Sequence, residues 1–87
     1  MERKERNVIV KKEIILANEE IKKLNNFITL YHNKMPVLCE FHFIDDTRKV
    51  VCGIPFEFDD DVLKVLVDGN EIELPLADIQ SFIICSF

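Results

Sequence analysis

The 87-residue chain has no tryptophan, one tyrosine, two glycines and three prolines. So little glycine and proline excludes collagen-like, linker and low-complexity classes. The three cysteines, Cys39, Cys52 and Cys85, are odd in number and include no C-x-x-C pair. They specify neither a disulfide framework nor a zinc knuckle, and they point to a reducing, cytoplasmic compartment. Apolar runs stop at four residues, at positions 14–17 and 82–85, against the ~18 that a membrane-spanning helix needs. The charged stretch at residues 1–6 adjoins no apolar h-region or cleavage site, so no signal peptide is expected. There is also no glycine-rich phosphate loop and no G-x-S-x-G elbow, and the expectation is a protein that is not an enzyme.

What is present is enough apolar sequence to order one domain over residues 1–87. Hydrophobic residues make up 48% and charged residues 31% of the chain, a balance that offsets ordering entropy. The net charge of −5 is unevenly spread. Residues 1–34 hold eight Lys/Arg against five Asp/Glu, whereas residues 35–87 hold three against eleven. The acidic portion repels phosphate backbones within roughly a Debye length, ~8–10 Å. Any nucleic-acid contact would fall to the basic arm, with Arg3, Lys4, Arg6, Lys11 and Lys12 as its candidates. The simpler reading of Glu19, Glu20, Lys22 and Lys23 is the solvated face of a helix.

Residues 7–16 are β-branched and partly alternating, which favours a strand. Ile14, Ala17, Ile21, Leu24, Ile28 and Tyr31 also step by three and four, which favours a helix. Both readings stand over residues 8–16. Beyond them, Asn18 is placed to cap a helix whose apolar stripe is Ile21, Leu24, Ile28 and Tyr31, with Phe27 beside it. Glu19 and Glu20 suit the positive end of its dipole. Asn33 and Pro36 end it.

After Pro36 the period changes from 3.6 to 2. Residues 37–44 read as a strand with Val37, Cys39, Phe41 and Phe43 on one face. Residues 49–58 read as a second, with Val50, Cys52, Ile54, Phe56 and Phe58 inward. Residues 62–67 and 71–74 form a hairpin around Asp68-Gly69-Asn70. A helical turn over residues 75–79 precedes a last, largely apolar strand at 81–87. Gly53 and Pro55 inside the second strand mark a sharp bend. One long bent strand serving two halves is what a small barrel needs. The expected fold is therefore α+β: an N-terminal helix, with a strand before it on one of the two readings, then a five-stranded, strongly bent antiparallel β-barrel.

This order, with Gly53-Ile54-Pro55-Phe56-Glu57-Phe58-Asp59 and a strand ending in Asp68, resembles the Sm-like barrel over roughly residues 18–85. The resemblance implies a ring-forming protein that binds single-stranded nucleic acid. Two departures weaken that implication. Asp60-Asp61-Val62-Leu63 stands where Sm-like proteins carry an RNA-contacting Asn, and no Arg-Gly or Lys-His signature precedes the last strand. Pro75-Leu76-Ala77-Asp78-Ile79 resembles instead the Pro-Leu-Asp-Asp-Ile turn of YolD-like proteins, small bacterial and phage products with an Sm-like barrel. Ala77 is the mismatch. That resemblance implies a bacterial, phage or mobile-element source.

The polar clusters carry little chemistry. Asp59-Asp60-Asp61 lacks the spaced ligands and glycine of a calcium loop and reads as a solvated turn, with an acidic binding surface as the alternative. His32, His42 and the cysteines have no metal-ligand spacing, so no metal and no cofactor are expected. Cys39 and Cys52 read as small core residues. Glu40, Glu57, Glu71 and Glu73 read as outward, solubilising side chains. The last strand is apolar on both faces, so Phe82, Ile83, Ile84 and Phe87 are the candidate partner or oligomer interface. The expected function is a small non-catalytic binding or regulatory protein that self-associates and contacts a protein partner. The alternatives are an Sm-like single-stranded nucleic-acid-binding protein and an acidic, nucleic-acid-mimicking inhibitor of an enzyme.

Overall fold

A computed structural model describes residues 13–86; residues 1–12 and 87 lie outside it, and with them most of the first expected element. Residues 13–17 form no regular element. Leu16 is buried there while Ile14 and Ile15 stay exposed, so one side chain anchors the lead-in to the helix.

Helix α1 spans Asn18–His32. The cap falls on Ala17, one residue before the expected Asn18. Alanine offers no side-chain acceptor, and Glu20 compensates. Its Oε1 accepts the Ala17 N–H at 3.0 Å, while the Ala17 carbonyl accepts the Glu20 and Ile21 N–H groups at 2.9 and 3.1 Å. This is the reach-back half of a capping box. The other end closes with a Schellman motif: Lys34 N–H donates to Tyr31 O at 2.9 Å and Met35 N–H to Leu30 O at 2.8 Å. The motif puts Lys34 at φ 66°, where glycine is the usual occupant.

Five strands follow: β1 (Leu38–Phe43), β2 (Val51–Asp59), β3 (Val62–Val67), β4 (Asn70–Pro75) and, after a 3-10 turn at Leu76–Asp78, β5 (Ile79–Ser86). They form one antiparallel sheet in the order β4-β3-β2-β1-β5. Among the described residues β4 and β5 are its edges, and the sheet is not closed into the expected barrel. The β3–β4 hairpin turns at Asp68 (φ 52°) and Gly69 (φ 84°), the paired positive values of a type I′ turn.

β2 divides the sheet as the glycine predicts. Cys39 pairs with Gly53 on the β1 side, and the next residue, Ile54, pairs with Leu66 on the β3 side. A Cβ at Gly53 would lie 3.0 Å from the Leu66 carbonyl oxygen, so the close crossing requires glycine. The expected inward set of β2 is corrected by a bulge. Register shifts between Pro55 and Glu57, and one extra residue reverses which side chains face the core. Before it Gly53 and Pro55 are buried and Cys52 is exposed; at and after it Phe56 is buried and Phe58 half-buried. Cys52 and Val50 are thus outside the core.

The core itself follows the alternation of β1. Val37, Cys39, Phe41 and Phe43 meet Leu24 and Phe27 of α1, Leu63 and Val65 of β3, Leu74 of β4, and Leu76 and Ile79 around the 3-10 turn. Phe82 joins α1 to β1, its ring 6.2 Å from Phe27 and 6.1 Å from Phe41. Full burial of each such side chain contributes about 1.5–3 kcal/mol. The 3-10 turn is fixed by main-chain bonds from Leu76 N–H to Asp61 O (2.8 Å) and from Ile44 N–H to Asp78 O (3.0 Å).

Candidate interaction surface

β5 pairs with β1 along one side only: Cys39 faces Ile84, Glu40 faces Ile83, Phe41 faces Phe82 and His42 faces Ser81. Among the described residues its other side has no strand beside it. Strand alternation sends Phe82 inward, where it is half-buried. Ile83 stands on the outer face at 53% exposure, and Ile84, near the end of the strand, is still 41% exposed. Three of the four residues expected at the interface therefore lie together on one edge strand; Phe87 lies outside the described residues. Edge strands with apolar side chains and unpaired main-chain groups template pairing with a second chain. The opposite edge, β4, is exposed at Asn70–Glu73, with only Leu74 of this strand fully buried.

The outer face of β2-β1-β5 carries the polar chemistry of this end. His42 Nε2 donates to Glu40 Oε2 at 2.6 Å. These residues are two apart on one strand and therefore share a face, a signal that the spacing Glu-x-His already held. Cys52 pairs opposite Glu40 across the sheet. Cys39 lies on the other face, fully buried. Burial first, and then the neighbouring Cys85, pushes its thiol up from 9.0 to about 12.

The other expected sites disperse. Asp59, Asp60 and Asp61 are exposed at the β2–β3 turn. Asp60 takes φ 55° there, and Lys64 Nζ approaches Asp59 and Glu57 at 4.0 and 3.9 Å. Such exposed pairs add only ~0.2–1 kcal/mol. Arg3, Lys4, Arg6, Lys11 and Lys12 lie outside the described residues. Among the described residues no group of three His, Cys, Asp or Glu is arranged to hold a metal ion, and no helix is long and apolar enough to cross a membrane.

One arrangement had no sequence signal. Arg48 lies over the Phe43 ring, 3.9 Å from its centroid, with Nη1 3.4 Å from Asp78 Oδ2. These residues line a cavity of about 410 Å³ between the β1–β2 turn and the 3-10 turn. Thirty positions separate Arg48 from its partner, so only the sheet order brings them together. No protein-family model, curated protein or solved structure matches the chain.

Proposed function

We propose that this chain is a small, non-catalytic binding protein of the cytoplasm that associates with copies of itself through the β5 edge and acts through protein–protein contacts. The observation that carries the reading is the β5 edge, open among the described residues, with Ile83 and Ile84 exposed upon it. The change of partner along β2, from β1 at Val51–Gly53 to β3 from Ile54 onward, and the five-strand order support an Sm-like arrangement, with β4 and β5 as the rims of an incomplete barrel. The two rims differ in sequence. Pairing β5 of one copy with β4 of the next is a heterologous contact, which yields a ring when the rotation closes. A small domain gains from such association because its own core supplies only a thin stability margin.

Light scattering coupled to size exclusion, at low and high salt, tests this reading. A closed oligomer of the Sm-like kind, salt-independent because the edge is apolar, is expected. Ile83→Lys and Ile84→Lys place a charge on the edge and shift the population to monomer. A monomeric parent chain overturns self-association. A dimer retains edge pairing through β5 with β5 and discards the ring. If a ring forms, titration with single-stranded RNA and DNA decides between a protein partner and the nucleic-acid reading. The described residues after position 34 are strongly acidic, which favours the protein partner.

A further inference from the structure

The cavity of about 410 Å³ between the β1–β2 turn and the 3-10 turn is used by none of the surfaces assigned above. Its apolar wall is Phe43, Ile44 and Ala77, and Ile44 is exposed there. Its charged wall is Glu13, Asp45 and Asp78 against a single cation, Arg48. Short-range bonds hold three of these four groups. Asp45 Oδ1 accepts the Thr47 N–H at 3.0 Å and the Thr47 hydroxyl at 2.7 Å. Arg48 lies over the Phe43 ring with Nη1 3.4 Å from Asp78 Oδ2. Three carboxylates to one guanidinium leave a surplus of two negative charges around one space. A cation beside an apolar body is what such a lining attracts.

The occupant is identified by where the chain outside the described residues joins the fold. Glu13 is the first described residue, and it lines the cavity itself. Lys11 and Lys12 precede it in the sequence. Consecutive Cα atoms are about 3.8 Å apart, so chain continuity alone keeps the Lys11 Cα within roughly 7.6 Å of that of Glu13. Residues 1–12 carry five basic side chains, Arg3, Lys4, Arg6, Lys11 and Lys12, against Glu2 and Glu5. A segment of net +3 is thus joined to a cavity of net −2. The tether makes their pairing intramolecular, at an effective concentration of millimolar order. A basic segment of a second copy or of another protein lacks that advantage. Val8, Ile9 and Val10 supply side chains that suit the wall of Phe43, Ile44 and Ala77.

We infer that the cavity is the docking site of the chain's own basic arm, residues 1–12, with the Lys11 and Lys12 ammonium groups set against the Asp45 and Asp78 carboxylates. The arm's five basic side chains are also the candidate contacts to a phosphate backbone. The cavity therefore competes with nucleic acid for them, and the acidic portion of the chain withholds the arm. This contact is electrostatic and weakens with salt, whereas the β5 edge pairing is apolar. Either can fail without the other.

Carbodiimide cross-linking of the full chain at low salt, read by mass spectrometry, tests the contact, because it joins an amine to a carboxylate where the two touch. An equal mixture of ordinary and isotope-labelled chains separates links within a chain from links between copies. Links from Lys11 or Lys12 to Asp45 or Asp78 within one chain are expected, and high salt is expected to abolish them. Absence of these links overturns the docking. So do links confined to mixed pairs of chains, or links as frequent to Asp59, Asp60 and Asp61. The parent chain carries this test, so it stands whether or not any variant folds. Asp45→Asn with Asp78→Asn is then compared with Asp60→Asn with Asp61→Asn, which removes the same charge away from the cavity. The cavity pair alone is expected to speed trypsin cleavage after Lys11 and Lys12 several-fold. It alone is also expected to tighten binding of labelled single-stranded DNA several-fold in low-salt anisotropy. Equal cleavage of the two variants overturns the docking, and equal DNA binding overturns the competition.

Discussion

Replacing Gly53 with alanine tests the account of the β2 crossing. A methyl group there would sit 3.0 Å from the Leu66 carbonyl oxygen, 3.1 Å from Val67 Cγ2 and 3.2 Å from Val65 Cβ. Ordinary van der Waals contact between such atoms begins several tenths of an ångström further out. Two of the three contacts are main chain or main-chain-adjacent atoms of β3, which cannot rotate away. β3 must therefore move, and its hydrogen bonds to β2 and β4 move with it. Overpacking of this kind costs about 1–3 kcal/mol. For a domain of this size 1 kcal/mol lowers Tm by roughly 4–8 °C, so a fall of about 4–24 °C is expected. The internal comparison is Gly69→Ala. No atom lies within 4 Å of that added methyl group, and its cost is conformational, because Gly69 holds φ +84°. That substitution is expected to cost about 1 kcal/mol. Urea unfolding followed by circular dichroism, at one fixed protein concentration because association shifts apparent stability, measures both. A Gly53→Ala variant within 0.5 kcal/mol of the parent refutes the claim that the crossing needs glycine.

Further expectations follow from single contacts. Cys39 keeps its proton in the fold up to about pH 12, against 9.0 for an ordinary thiol. Above pH 9 the unfolded chain sheds a proton that the folded chain retains, so stability falls between pH 9 and 12 and is unaffected by this group below that window. The slope approaches about 1.4 kcal/mol per pH unit, and it should be absent from Cys39→Ala, so that it appears as the difference between the parent and that variant in alkaline urea titrations. Lys34→Gly relieves the φ of 66° at the helix terminus and is expected to stabilise by up to about 1 kcal/mol in the same assay. Leu24→Ala empties a fully buried position between α1 and the sheet and is expected to cost about 2–5 kcal/mol. A loss below 1 kcal/mol would show that α1 is not part of the core.

Much of the fold was legible because it depends on neighbours in sequence. The 3.6-residue stripe on α1, the alternation of Val37, Cys39, Phe41 and Phe43, and the Asp-Gly turn each report a local geometry. Gly53 marked the place where β2 and β3 approach closely. The placement of Cys52 was not legible. A period-2 reading carries parity along the whole strand, and the bulge at Phe56 resets it, so counting back from Phe58 put Cys52 on the wrong face. The candidate edge was partly legible: apolar residues at 82–85 implied a surface in need of cover. Which side of that strand remained open depended on where β1 lay.

The sequence by itself determined the elements, their order, the turns between them and most of the side chains that enter the core. These follow from propensity, period and turn chemistry, all of which act within a few residues. Tertiary structure alone decided that β5 returns beside β1, leaving β4 and β5 as the edges. It also brought Arg48 to Phe43 and Asp78 and set Cys52 and Ile83 on either side of Glu40. Most of those juxtapositions join segments well separated in the chain. They are set by which strands pair, and strand pairing is selected by burial of the whole core rather than by any local run of residues.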